Sequence, residues 1–178
     1  SDVYKRQDHS YLIGSENMEQ MERNGQSSVR QRLWRIRAKH VILATGAIER
    51  PLVFAGKDIP GVMLCSAALE FYKLYGVSPG DRVVVLTNND SAYSSVIELF
   101  NAGISVPLVI DVREKSNGNL PLKAKKLGIR VEFSKAISKV IGKKKVKAVE
   151  LCSVVGEGAV LETIICDSVL MSGGWTST

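Results

Sequence analysis

The chain is poor in cysteine and histidine, and this scarcity narrows the chemistry open to it. Its three cysteines, Cys65, Cys152 and Cys166, lie far apart and form no C-x-x-C pair. A redox-active pair or a cysteine metal site is therefore not expected, and the odd count is typical of a reducing, cytoplasmic compartment. The two histidines, His9 and His40, have no carboxylates at metal-ligand spacing, and His40 directly precedes an apolar segment. The sequence therefore predicts no metal site, and a structural role for His40.

Long apolar runs are also missing. No run reaches the ~18–20 residues that a membrane-spanning helix needs, so we expect no membrane segment. The first seven residues, SDVYKRQ, are polar and lack the apolar core of a signal peptide. We expect residues 1–7 to be a non-native leader and the chain to be part of a longer protein. Its 178 residues, 45% of them hydrophobic, are enough for one sizeable core or two small ones.

Positive charge exceeds negative charge, with a net charge of +6, and it is densest at Lys143–Lys147. Such a run could indicate a nucleic-acid surface. However, no aromatic residues interleave it, and Gly142 opens it. A hairpin turn with solvent-facing lysines is the favoured interpretation, and no nucleic-acid partner is expected.

The first third of the chain is predicted to consist mainly of β-strands and loops. Residues 9–13 predict a short strand, and the polar stretch 14–31 predicts a loop. Residues 32–38 alternate apolar and basic side chains, which is typical of a half-buried strand in an antiparallel ribbon. Val41–Ala44 is continuously apolar, as expected for a strand of a parallel sheet that is buried on both faces.

A turn and a helix come next. Proline and glycine in Asp58–Gly61 are placed for a type II turn. Ser66 can cap a helix over residues 66–75, which Gly76 ends. The apolar face predicted for this helix has the spacing i, i+3, i+4 and i+7, at Ala68, Phe71, Tyr72 and Tyr75.

The middle of the chain predicts a βαβ unit. A strand at 82–87 leads through the polar turn Asn88–Ser91 into a helix that Gly103 ends, and a strand at 105–110 closes on Asp111. The apolar face of this helix carries Tyr93, Val96, Ile97 and Phe100. A right-handed, parallel crossover is expected.

The last third predicts one more helix and several strands. The helix is expected near 121–127 and a further strand at 129–133. The short segments 136–141, 146–155 and 159–165 indicate an antiparallel meander. Finally, residues 167–172 form an apolar strand that stops at two glycines. The fold class is therefore α/β, with a parallel sheet and antiparallel ribbons.

The strongest candidate for a binding site is the end of the apolar segment at Val41. Parallel strands that end in small residues let a flat cofactor lie across their carboxyl ends. Ala44 and Gly46 keep the backbone accessible, and Thr45 can offer a hydroxyl group. The predicted dinucleotide contacts are Ala44, Thr45 and Gly46. On the strand alone, an ordinary buried strand that ends at a glycine explains the pattern equally well.

A second candidate is the turn after Leu86. Dinucleotide-binding turns read G-x-G-x-x-G/A, whereas the aligned positions here are Thr87, Asn89 and Ala92. Asp111 lies where an acidic residue would hold a ribose, but a polar strand end at the surface is the favoured interpretation. We expect the fold to be retained and phosphate binding to be weakened or lost. The sequence nominates no catalytic acid, base or nucleophile.

With these residues in view, the sequence resembles the alpha subunit of heterotetrameric sarcosine oxidase, an FAD/NAD(P)-binding oxidoreductase. The most specific matches are the turn T-N-N-D-S-A-Y and the end S-G-G-W. The matching stretches are 8–11, 32–39, 41–63, 75–77, 83–93 and 170–175. They cover most of the chain beyond its first seven residues.

The resemblance implies a Rossmann-like FAD/NAD(P)-binding module that is incomplete here. Residues 8–58 and 167–178 would belong to an outer domain, with 167–178 as its return strand, and residues 59–166 to an inserted second nucleotide-binding-like domain. The outer domain would hold NAD, or FAD as in related flavoenzymes, and only Ala44, Thr45 and Gly46 are carried over as contacts. In the complete complex, the resemblance also implies FAD on a beta subunit, FMN near the subunit contact, and tetrahydrofolate in a separate domain.

The leading hypothesis is therefore oxidative demethylation of sarcosine to glycine, with one-carbon transfer to tetrahydrofolate, by a heterotetramer that contains this chain. Its partners would be the other subunits and a small amine substrate, and the chain alone would be inactive. Subunits of opine oxidase, hydrogen cyanide synthase and dye-linked amino-acid dehydrogenase have a similar construction and remain alternatives. A non-catalytic scaffold subunit and a basic nucleic-acid binder are hypotheses of other classes.

Overall fold

A computed structural model describes residues 10–17, 31–156 and 158–178 of the chain. Contacts between residues divide the chain into two compact units, Ser1–Thr45 and Gly46–Thr178. The predicted leader at 1–7, His9 and most of the predicted loop at 14–31 lie outside the described residues.

The first unit contains an antiparallel ribbon of two strands, β1 (Ser10–Asn17) and β2 (Gln31–Ala38). The predicted ribbon arm is thus confirmed, although β1 runs four residues into the predicted loop. The strands are more exposed than expected: Trp34 is 47% exposed. Within the first unit, the described residues add no helix or further strand to this ribbon, so they supply no second layer to cover its apolar side chains.

The strand predicted at Val41–Ala44 is not formed. Residues 40–46 have no regular secondary structure, and Ile42 and Leu43 are 91% and 82% exposed. An apolar strand of this type needs a hydrogen-bonded neighbour and cover on both faces. The described residues place no paired strand beside it.

The second unit holds the other elements, which are numbered in chain order. They are β3 (Ala47–Glu49), β4 (Val62–Leu64), α1 (Cys65–Tyr75), β5 (Arg82–Thr87), α2 (Ser91–Asn101), β6 (Ser105–Asp111), α3 (Asn119–Lys126), β7 (Val131–Phe133), β8 (Lys135–Gly142), β9 (Val146–Ser153), β10 (Val160–Ile165), β11 (Ser168–Ser172) and β12 (Trp175–Ser177).

Five of these strands form a parallel sheet in the order β4-β11-β5-β6-β7. The sheet is buried on both faces, because side chains of β5 alternate between two cores. Val83 and Val85 pack with the three helices, whereas Val84 and Leu86 pack with the meander of β8, β9 and β10. Burial on both faces accounts for the unbroken apolar run in β5.

The predicted βαβ unit is confirmed. Strands β5 and β6 pair in parallel, and α2 connects them with Tyr93, Val96 and Ile97 buried. The predicted helix and strand that follow are present as α3 and β7. The meander is confirmed too, as an antiparallel sheet in the order β10-β9-β8.

The turn before β4 and the glycine that ends α1 agree with the sequence, but the predicted apolar face of α1 does so only in part. The amide of Val62 donates to the carbonyl of Ile59 at 3.1 Å, and Gly61 has φ +105°, as in a type II turn. Gly76 ends α1 in the left-handed conformation. Ala68 is buried and Tyr72 packs against the core as predicted, whereas Phe71 and Tyr75 are 47% and 68% exposed. The helix points Cys65 and Ala68 towards the sheet instead.

The three lysines of the turn between β8 and β9, Lys143–Lys145, are exposed. Residues Gly142 and Val146 pair across this turn. The hairpin interpretation of the basic run is therefore confirmed.

Strand β11 lies between β4 and β5, with all five of its residues buried. It therefore belongs to the same sheet as the βαβ unit. After β11 the chain turns at two glycines into β12, which pairs antiparallel with β3. The domain bounds 8–58, 59–166 and 167–178 stay a prediction.

Candidate functional site

The carboxyl ends of β5, β6 and β11 meet at one edge of the parallel sheet. Strand β5 leads to β6 on one side and has β11 on its other side, so the strand order reverses here. Ligands of open α/β sheets bind at such a reversal, beyond the carboxyl ends of the strands. The turn Thr87–Ser91, the strand end at Asp111 and the turn at Ser172–Gly174 all lie at this edge.

The turn after β5 is held by the side chain of Asn89. Its amide nitrogen donates to the carbonyl and hydroxyl oxygens of Ser172 at 3.2 and 3.0 Å. Its carbonyl oxygen accepts from the hydroxyl of Ser91 at 2.6 Å and from the amide of Ala92 at 3.3 Å. Asn89 therefore satisfies one free amide in the first turn of α2 and also ties the turn to the end of β11.

Two neighbouring residues complete this turn. The hydroxyl of Thr87 accepts from the amide of Asn89 at 3.1 Å, so it fixes the turn locally. The side-chain amide of Asn88 donates to the carbonyl of Gly173 at 3.4 Å. The indole of Trp175 donates to the hydroxyl of Ser91 at 2.8 Å. The end of β11 and the start of β12 are thus bound to the turn at several points.

Asp111 is buried, not at the surface as predicted from the sequence, with 0% of its area exposed. Tyr93 Oη donates to its Oδ2 at 2.8 Å. Arg113 donates from Nε to Oδ1 at 2.9 Å and from Nη2 to Oδ2 at 2.7 Å. A buried carboxylate needs this compensation, and the bidentate guanidinium supplies it.

Arg113 also links Asp111 to the start of α2. Its Nη2 donates to Oδ1 of Asp90 at 2.7 Å, and the hydroxyl of Ser116 donates to the same oxygen at 2.9 Å. One guanidinium group therefore bridges two carboxylates. We call the side chains of Asp90, Tyr93, Asp111 and Arg113 the edge network.

The electrostatics of the edge network agree with its geometry. Burial and the hydrogen bond to Asp111 raise the pKa of Tyr93, so its hydroxyl remains a donor. The bond to Asp111 raises the pKa of Arg113 despite its partial burial. Burial alone would raise the pKa of Asp90, but the hydrogen bonds from Arg113 and Ser116 outweigh it and lower this pKa. The pKa shifts of Asp90, Tyr93 and Arg113 therefore favour the protonation states that their hydrogen bonds require.

A second buried carboxylate, that of Glu49, joins β3 to α1. Its Oε2 accepts from the amide and the hydroxyl of Ser66, at 2.9 and 2.6 Å. The sequence predicts Ser66 as the cap of the helix, but α1 begins at Cys65 with no side-chain cap of its own. Glu49 takes this role because it reaches the free amide groups of the first helical turn.

The cysteine thiols are buried within the folded unit. Burial, together with the nearby carboxylate of Glu49, raises the pKa of the Cys65 thiol. Burial likewise raises the pKa of Cys166 to about 12. Both thiols are therefore protonated at neutral pH and poorly suited to nucleophilic chemistry.

The predicted cofactor contacts lie where the two compact units adjoin in sequence. Ala44 and Thr45 end the first unit, Gly46 begins the second, and all three are exposed. Gly46 has φ +83°, and a Cβ atom built on it would have no neighbour within 4 Å. Its carbonyl accepts from the amide of Thr178 at 3.3 Å.

The sequence analysis does not predict the hydrogen bonds that Glu49, Tyr93 and Arg113 form. It assigns Tyr93 to an apolar helix face, although the hydroxyl group is an available signal, because a buried tyrosine normally needs a partner. Arg113 follows Asp111 by two residues, which could have indicated a local ion pair. Nothing local relates Glu49 to Ser66, which lies 17 residues further on.

Among residues 10–17, 31–156 and 158–178, no helix is long and apolar enough to cross a membrane. Within the same ranges, no cluster of three or more histidine, cysteine, aspartate or glutamate side chains is placed to hold a metal ion.

The chain is similar in sequence to the sarcosine oxidase alpha subunit of Rhizobium meliloti (strain 1021). The two are 39% identical over 145 residues, which is 82% of this chain and 14% of that protein. The predicted resemblance to this family is confirmed. The chain spans about one seventh of the length of this sarcosine oxidase subunit. No family model matches it.

The chain, a homologue of sarcosine oxidase alpha subunits, is also similar to two further proteins. An opine oxidase subunit of Agrobacterium tumefaciens (strain Ach5) is 36% identical over 74 residues, which is 42% of this chain and 15% of that protein. The thioredoxin reductase of T. acidophilum has a similar fold, with a TM-score of 0.60 and 23% identity over 79% of this chain and 46% of that one. The Rossmann-like α/β fold class is thus confirmed.

Proposed function

We propose that this chain is a segment of the alpha subunit of a sarcosine oxidase-type oxidoreductase, and that Ala44, Thr45 and Gly46 contact its dinucleotide. The observation that carries the proposal is the 39% identity to such a subunit over 82% of the chain. The proposed reaction is the oxidation of sarcosine to glycine, with the one-carbon unit passed to tetrahydrofolate. The proposed setting is a cytoplasmic heterotetramer, which suits buried, unpaired thiols.

The residues at 44–46 fit a dinucleotide. Gly46 has φ +83°, and no other atom lies within 4 Å of a Cβ built on it, so the backbone is open at this residue. A phosphate or ribose could approach the backbone here, and Thr45 carries a hydroxyl that can bind it. NAD is the proposed occupant, with FAD as the alternative.

The exposed apolar residues before this segment support the same proposal. Val41, Ile42 and Leu43 are 40%, 91% and 82% exposed. Side chains of this kind are normally covered, and a parallel strand in a larger sheet would cover them. We infer that these residues enter such a sheet in the complete subunit.

In this proposal the chain's own residues bind and orient. A bound dinucleotide or flavin would supply the capacity to accept a hydride. Gly46 would let the backbone approach that group, and Ala44 would leave room for it. FMN, the folate domain and a second flavin on a beta subunit belong to the proposed complex and not to these residues.

The test is the nucleotide content of the complete subunit carrying Gly46→Val. A Cβ is strained at φ +83° and would enter the open space, so we expect at least a tenfold loss of retained NAD. Gly128→Val is the matched control, since Gly128 has φ +86° and equally open surroundings. Equal nucleotide content in both variants would contradict the proposed contact. If the complete subunit retained FAD instead of NAD, the proposed contact would stand and only the identity of the cofactor would change.

Two alternatives rest on specific observations. The similarity to an opine oxidase subunit favours a related oxidase with an opine as substrate. Turnover of sarcosine against opines by the assembled complex separates the two. A non-catalytic scaffold is favoured by the hydrogen-bonded turn at Thr87–Ser91. A complete subunit that holds no nucleotide would support the scaffold.

A further inference from the structure

The turn after β5 has the position of a dinucleotide-binding turn, but its residues do not fit a dinucleotide. In such a turn, backbone amides at the start of the helix bind the pyrophosphate, and glycines allow its close approach. Here the first and third turn positions are Thr87 and Asn89. Each carries a side chain that is hydrogen-bonded inside the turn.

Four backbone amide groups at the turn and the start of α2, those of Asn88, Asn89, Ala92 and Tyr93, already donate hydrogen bonds within the protein. The amide of Asn88 donates to Ser172 O at 3.3 Å, and that of Asn89 donates to Thr87 Oγ1 at 3.1 Å. The amide of Ala92 donates to the side chain of Asn89. The amide of Tyr93 donates to the carbonyl of Asp90 at 3.2 Å. An entering pyrophosphate would have to break these bonds before it gained any.

Charge at this edge also opposes a dinucleotide. Asp90 precedes α2, and its side chain is 39% exposed. A pyrophosphate at the start of α2 would therefore meet a carboxylate of the same charge. The positive charge of Arg113 is shared between Asp90 and Asp111. Asp111, at the position that holds a ribose in binding turns, is buried with its two oxygens hydrogen-bonded.

The same residues instead tie the turn to the strand pair β3 and β12. Asn88 and Asn89 bind the end of β11, and Trp175 of β12 binds Ser91. Strand β3 pairs with β12 and begins one residue after Gly46. These polar groups form hydrogen bonds within the protein and are therefore not available to bind a ligand.

We propose that the edge of the βαβ unit is closed to dinucleotides by its own side chains and serves to anchor the β3–β12 pair. Any dinucleotide that the protein holds therefore lies elsewhere. This inference does not depend on the proposed contacts at Ala44–Gly46. It concerns a different turn and can fail separately.

The test follows backbone amide resonances of the labelled chain during titration with NAD and NADP, each at millimolar concentration. In the wild type we expect no saturable shifts at residues 87–93. The variant Thr87→Gly/Asn89→Gly removes both turn side chains, and we expect saturable shifts there, with at least tenfold tighter binding. The matched control is Asn101→Gly/Thr163→Gly, which removes the same side chains from exposed positions.

Two results would overturn the proposal. Saturable shifts at 87–93 in the wild type would show that the edge is open. A double variant that keeps its strand pairing and far-ultraviolet spectrum, yet gains no binding, would show that these side chains do not close it. If the double variant failed to fold, the wild-type titration would still decide whether the edge is closed.

Discussion

Glu49 offers a quantitative test of how the second unit is held together. Its side chain is 5% exposed, and a single oxygen accepts both the amide and the hydroxyl of Ser66. Replacing it with alanine removes the cap of α1 and a link between α1 and β3. Ser66 is only half-buried, so water can satisfy part of what is lost.

The expected loss follows from these contacts. Removing a helix cap costs about 0.5–2 kcal/mol, and hydrogen bonds to a charged group contribute about 1.5–3 kcal/mol. The helix cap and the hydrogen bonds to Glu49 are the same contacts, so the two contributions are not added. We expect Glu49→Ala to lower the free energy of unfolding by about 2–3 kcal/mol. Glu49→Gln keeps one acceptor oxygen and should lose about 1 kcal/mol.

Urea denaturation, followed by far-ultraviolet circular dichroism, measures both losses from the midpoint at constant m-value. Glu70→Ala is the control, because Glu70 lies on the same helix and is exposed. We expect this control to stay within about 0.5 kcal/mol of the wild type. The capping role of Glu49 would be refuted if Glu49→Ala were no less stable than the control.

Three further predictions concern other buried or paired groups. Tyr93→Phe leaves an oxygen of the buried Asp111 without one donor and should cost about 1–3 kcal/mol in urea denaturation; an unchanged midpoint would contradict this. The lowered pKa of Asp90 stabilises the fold above its ordinary value of 3.8, and this contribution is lost as pH falls below it. The stability difference between wild type and Asp90→Asn should therefore shrink in acid; a constant difference would argue against the ion pair. The raised pKa of the Cys166 thiol gives stability that is present below pH 9.0 and is lost as pH rises towards about 12. Cys166→Ala should therefore reduce the loss of stability in alkali. An equally steep loss in this variant would contradict the assignment to Cys166.

The sequence predicts those parts of the fold in which local pattern and final environment agree. The run Val83–Leu86 is apolar throughout because both faces of β5 are buried, and the helix after it carries its apolar residues at helical spacing. The resulting βαβ unit can therefore be predicted from sequence alone. The place of β11 between β4 and β5 cannot, because pairing between distant segments leaves no local pattern.

Predictions fail where a distant partner decides the environment. Val41–Ala44 has the composition of a buried strand, but it remains exposed because no described strand pairs with it. Asp111 is predicted at the surface and is buried, because Tyr93 and Arg113 supply its hydrogen bonds. The loss of glycine at Thr87 and Asn89 is visible in the sequence. The bonds that replace a ligand there are visible only in the structure.

We propose that a dinucleotide contacts the segment at Ala44–Gly46 and not the turn after β5. Hydrogen–deuterium exchange of the complete subunit, with and without NAD, tests this most directly. We expect slower exchange at residues 41–50 when NAD is bound, and unchanged exchange at residues 87–93. Protection of residues 87–93, with none at 41–50, would contradict it.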